Sequence, residues 1–108
     1  MTRSTSPGPD LVVRDAVTRR ILAHADRGWP GLTVLVRHHG AFCYIAAELP
    51  GYRDPSLIGR LRYQGSPDHW TIAIYKVSSE TYSEGELPTG MGPLTGTPEQ
   101  GLDHTLRH

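Results

Sequence analysis

The chain has one cysteine, one phenylalanine and one lysine among 108 residues. No apolar run comes near the ~20 residues that a membrane-spanning helix needs. Each scarcity closes a class. A lone Cys43 excludes an internal disulfide. Set between Phe42 and Tyr44, it reads as a small buried hydrophobe, because a nucleophilic thiol needs a neighbouring base and a lowered pKa. Met1 to Asp10 is Ser, Thr, Pro and Gly with one Arg and lacks the apolar core of a secretory signal, so the expected setting is cytoplasmic, with no membrane partner. There is no His-Glu-x-x-His. No Gly-Lys-Ser/Thr follows the Gly-rich stretch Gly85 to Gly96, which reads as a solvated connection. Ser-His-Asp and Cys-His arrangements have no local support either, so no catalytic residue and no cofactor is expected.

Charge of one sign is also missing overall, since eleven basic residues balance eleven acids. That argues against strong non-specific nucleic-acid binding while leaving room for a local patch. The sign is unevenly spread. Met1 to Arg62 carries nine arginines against five acids, and Tyr63 to His108 two basic residues against six acids. Such asymmetry marks an interaction surface, unless folding brings the halves together and cancels it.

What is present is organised around Leu57 to Val77. Two runs rich in branched and aromatic residues, Leu57 to Tyr63 and Trp70 to Val77, flank the turn formers Gln64 to His69. This predicts two antiparallel strands joined by a six-residue loop. Trp70, Ile72 and Ile74 point one way and Ala73, Tyr75 and Val77 the other, so the second strand is apolar on both faces and belongs in the middle of the sheet.

Met1 to Pro9 reads as a disordered leader, followed by one α+β domain over 10–108. Asp10 is placed to cap a helix from Leu11 to Arg27, where Val13, Val17, Ile21, Leu22 and Ala25 recur at helical spacing. Gly28 is its expected C-cap, and its arginines are expected to be solvated. Strands follow at Leu32 to Arg37 and Ala41 to Leu49, with His38-His39-Gly40 as the tight turn between them. After the central pair, Thr81 to Glu86 can add a short edge strand. Thr97-Pro98-Glu99-Gln100 supplies an N-cap, a first-turn proline and a capping-box glutamine for a last helix. Leu102 and Leu106 give it one apolar seam, so it must dock to persist. The expected fold is thus an N-terminal helix, an antiparallel meander of four strands with an optional fifth, and a C-terminal helix, both helices packed on the sheet.

Several stretches of the second half form a pattern: Arg60-Leu61-Arg62-Tyr63, Gly65-Ser66-Pro67-Asp68, His69-Trp70, Ala73-Ile74-Tyr75, Tyr82, Leu87-Pro88, Gly96-Thr97-Pro98-Glu99 and Leu102-Asp103. In this order they resemble a family of short uncharacterised actinobacterial proteins. The likeness runs from about Leu57 to His104, under half the chain. This chain departs at Thr81-Tyr82, where that pattern has Gly-Tyr, and at Gln100-Gly101, where it has Glu-Ala. The second departure puts a glycine inside the last helix, at a local cost of roughly 1 kcal/mol. The resemblance implies a high-GC bacterial source, in keeping with ten arginines to one lysine, and brings no activity with it.

The candidate ligand-binding set is Arg60, Arg62, Tyr63, His69, Trp70 and Tyr75. Arg60 and Arg62, two apart, emerge on one face of a strand. Burying unpaired guanidinium groups is costly, so that face is expected to be only partly covered by helix, or its arginines to pair with Glu80, Glu84 or Asp103. Three readings follow. The first is a small binding or regulatory module, not an enzyme, that contacts a protein partner or itself. The second is a single-stranded nucleic-acid binder using arginines beside aromatics on an open sheet. The third is a His-based enzyme or metal protein using His69, His104 and His108, of which His104 and His108 share a helix face; no acid or cysteine at a recognised spacing completes a metal site, and none is assigned.

Overall fold

The computed structural model describes residues 8–85 and 92–107. In chain order the elements are α1 (Leu11–Gly28), β1 (Thr33–His39), β2 (Phe42–Glu48), β3 (Ser56–Ser66), β4 (His69–Lys76), β5 (Thr81–Glu84), β6 (Thr95–Gly96) and α2 (Pro98–Leu106). The five longer strands lie in sequence order, every neighbour antiparallel. This is the α+β meander between two helices that the sequence predicts.

α1 begins where Asp10 accepts a hydrogen bond from the Val13 N–H at 3.0 Å. Val17, Ile21 and Ala25, four residues apart, are its buried stripe. The helix runs one residue further than expected. Gly28 is still helical, and the cap is Trp29, whose N–H donates to the Ala25 carbonyl at 2.7 Å. The Trp29 indole reaches across to α2, donating to Asp103 Oδ1 at 3.4 Å, and that anchor fixes the helix end. Packing also begins before Asp10, because Pro9 is buried and Gly8 lies against the Gly40 carbonyl. The expected leader therefore loses Gly8 and Pro9 to the fold; the rest of it lies outside the described residues.

Two connections are tighter than the sequence suggests. The β1–β2 turn is Gly40-Ala41, with Gly40 at φ +59°, and His38 and His39 are the last residues of β1. The expected six-residue loop after Tyr63 shrinks to Pro67-Asp68, because an irregularity between Tyr63 and Ser66 keeps Gln64 and Gly65 in β3.

β4 has strand neighbours on both sides, but it is second from one edge and not central, and the cover expected on both its faces comes from described helices on one face only. β3 pairs along one side. Along the other, β5 pairs Ala73 to Lys76 and β6 pairs Trp70 and Thr71. Between them Ile72 donates to the Leu94 carbonyl at 2.9 Å and accepts from the Gly85 N–H at 3.2 Å. Thus part of the stretch expected as a plain connection, Gly85 to Gly96, completes the sheet edge; its residues 86–91 lie outside the described set.

Both helices cover one face of the sheet. Val17, Ile21, Ala25, Cys43, Ile45, Leu61, Trp70, Ile72 and Leu102 belong to one buried cluster. α2 opens with the full capping box, Thr97 accepting from Gln100 at 3.2 Å and donating to it at 2.9 Å. Gly101 is not a mere weak point in this helix. A Cβ there would stand 2.5 Å from Leu61 Cδ2, so the missing side chain lets α2 approach the sheet closely.

Polar clasps tie the helices to each other. Arg20 grips Glu99 with two bonds, Nε–Oε2 at 2.9 Å and Nη2–Oε1 at 2.8 Å, and holds Asp68 of the β3–β4 turn at 2.8 Å. His24 meets Asp103 at 2.9 Å. The expectation of solvated α1 arginines thus fails at Arg20. Its hydrogen bonds to Glu99 hold the guanidinium pKa up, and the same bonds hold the Glu99 carboxyl below its ordinary value.

Candidate functional site

Among the described residues, no helix lies on the opposite face of the sheet. Antiparallel register puts facing residues on the same side, so the pairs define this open face as cross-strand rows. One row is Arg37, Tyr44, Arg60, Ala73 and Glu84. A second is His39, Phe42, Arg62 and Thr71. Tyr75 and Tyr82 face each other beyond them. Arginine and aromatic ring therefore alternate from β1 to β3, and a tyrosine pair follows on β4 and β5.

The rings and cations touch. The Arg60 guanidinium stands over the Phe42 ring at 4.3 Å and over the Tyr82 ring at 4.9 Å, and Arg37 lies 5.8 Å from the Tyr44 centroid. Phe42 and Tyr44 are 5.9 Å apart, Tyr44 and Tyr82 5.7 Å, Tyr75 and Tyr82 5.1 Å. Tyr82 and Tyr44 belong to strands with two others between them. Between those strands, opposite Arg60, lies the small Ala73, which is only 2% exposed although no described helix covers it. Burial and the Tyr44 phenol push the Tyr82 hydroxyl pKa up, while Arg60 and Arg37 oppose this. The site therefore keeps a neutral phenol among its cations at ordinary pH.

Carboxylates are sparse here. Register places Glu84 opposite Ala73 and Glu48 opposite Thr33 at the far end of the face. Among the described residues, the ion pairs are Arg20 with Asp68 and Glu99, and His24 with Asp103, so neither Glu80, Glu84 nor Asp103 takes up Arg60 or Arg62.

The sequence-derived set divides. Arg60, Arg62 and Tyr75 are on the open face. Trp70 is fully buried on the helix side, its indole N–H donating to the Pro67 carbonyl at 2.8 Å, and the half-buried Tyr63 packs on it at 5.1 Å. Those two support the fold and do not join the arginines. His69 is exposed at the start of β4, opposite Ser66. Arg37, Phe42, Tyr44 and Tyr82 belong to the face and were not singled out by sequence. Spacing of two puts Phe42 and Tyr44 on one side of β2, but only the register reveals that this side is that of Arg60.

His104 sits on α2, His108 lies outside the described residues, and no group of three metal-binding side chains occurs among the described residues. Cys43 is fully buried, and desolvation pushes its thiol up to about 12. No described helix is long and apolar enough to cross a membrane.

Compared with family models, curated proteins and solved structures, the chain finds no match in any of the three.

Proposed function

We propose that this protein is a small binding module that holds single-stranded nucleic acid on the open face of its sheet. The observation that carries the reading is Arg60, held between the Phe42 and Tyr82 rings on a sheet face that no described helix covers, with no carboxylate partner among the described residues. A guanidinium so placed offers hydrogen-bond donors to phosphate, and the rings around it offer stacking surfaces to unpaired bases. Arg37 and Arg62 lie in the same and the adjacent row, so a strand crossing the sheet meets a cation at several points. Zero net charge is compatible with this, because contact depends on the local face and not on the total.

The test is fluorescence anisotropy with labelled DNA and RNA oligonucleotides of about 12 nucleotides at rising salt. Binding is expected at low salt and is expected to fall as salt rises. Replacing Arg37, Arg60 and Arg62 together by Ala should flatten the slope of log K against log salt by about 2, from ~0.7 per lost phosphate contact. The core lies on the other face, so the variant should keep the parent's circular dichroism. Absence of any binding at low salt ends the reading. Concentration-dependent dimers in sedimentation, lost in the same triple variant, would put a second copy of the chain on this face instead.

A further inference from the structure

Resting on that reading, we infer that the face contains a dedicated seat for one unpaired base, built on the row Leu35, Ala46 and Leu57. These three residues face one another across β1, β2 and β3. Their presence on the open face depends on a bulge. Ile45 faces Gly59 and Ala46 faces Leu57, which leaves Ile58 as an extra residue on β3. Strict alternation would turn Leu57 toward the helices together with Gly59. The inserted residue turns it over, the kind of re-aiming bulges perform. The outcome is that Leu57 is 45% exposed and Leu35 39% exposed, two leucines left wet with the small Ala46 between them.

The result is a notch. An open depression of about 550 Å³ has Leu35, Ala46, Leu57, Tyr44, Tyr82 and Arg37 among its lining residues. It holds one cation and no carboxylate, so its charge complements a phosphate beside an apolar planar group. Its volume lies in the range of small-molecule sites. A base slotted in would cover the exposed leucine side chains and lie against tyrosine rings, with its phosphate within reach of Arg37. A base paired in a duplex is stacked and cannot enter, so the seat selects single strands.

The experiment compares a base-bearing oligonucleotide with an abasic sugar-phosphate chain of equal length, against the parent protein and two variants. Ala46→Trp fills the notch, and Leu35→Gln makes part of its apolar lining polar; both alter the open face and leave the core cluster intact. The parent should bind the base-bearing strand roughly tenfold or more tightly than the abasic chain and than a duplex. In both variants that preference should fall to near unity, while abasic binding stays unchanged. Equal binding of base-bearing and abasic strands by the parent overturns the seat and leaves the wider reading standing. So does an undiminished preference in both variants. If no strand binds at low salt, both inferences fall.

Discussion

Replacing Gly101 by Ala sets a local rule against a packing contact, and the two predict opposite signs. Glycine inside a helix is worse than alanine by about 1 kcal/mol, so propensity alone makes Gly101→Ala stabilising. In the folded protein the added methyl would come 2.5 Å from Leu61 Cδ2 and 3.3 Å from Leu61 Cδ1. Leu61 is fully buried, in the same cluster as Ile72 and Leu102, so it has no free volume to retreat into. Overpacking of this kind costs about 1–3 kcal/mol. The second term wins, and the variant should lose about 1 kcal/mol net. Urea unfolding followed by circular dichroism measures it directly. The double variant Gly101→Ala, Leu61→Ala should show favourable coupling, since truncating Leu61 makes room for the new methyl. A Gly101→Ala protein more stable than the parent, with no coupling to position 61, would show that α2 does not lie as close to the sheet as described.

Other expectations follow from the polar clasps and the lone thiol. Glu99 has its carboxyl pKa lowered by Arg20, so its contribution to stability is present above the ordinary carboxylate range near ~4.3 and is lost as pH falls through the lowered value. Glu99→Gln should reduce stability at neutral pH by about 1 kcal/mol and make the acid limb of the stability curve shallower than in the parent; an identical limb refutes the clasp. Cys43 should resist thiol reagents at neutral pH in the native state and react at the parent's unfolding rate or slower, because its thiol is buried and shifted to about 12. Rapid native labelling would place it elsewhere.

Much of the fold was written locally. The Asp10 cap, the Val17–Ile21–Ala25 stripe and the Thr97 to Gln100 box each lie within a few residues, and each appears where spacing put it. The site was less legible because it is made of long-range register. Alternation in β3 already separates Tyr63 from Arg60 and Arg62, and Trp70 from Tyr75 in β4, so these side chains could never all share one face. Which of Trp70 and Tyr75 joined the arginines depended on the register of β4 against β3, and no single strand records that. The bulge at Ile58 carries no composition signal either: Leu-Ile-Gly reads as ordinary strand, yet the extra residue reverses the face of Leu57. Arg20 was hidden for a different reason. Its partners Asp68 and Glu99 are contributed by a turn and a helix far along the chain.

The clasp between Arg20 and Glu99 joins residues 79 apart in sequence. During synthesis α1 emerges first and α2 after everything it will cover, so the part of the meander beneath α2 stays greasy and unroofed until translation has passed Leu102. Folding of this kind is slow to start and late to lock. A growing chain stalled before α2 would present Leu61, Trp70 and Ile72 without their lid, the condition in which chaperones and proteases compete for a nascent polypeptide.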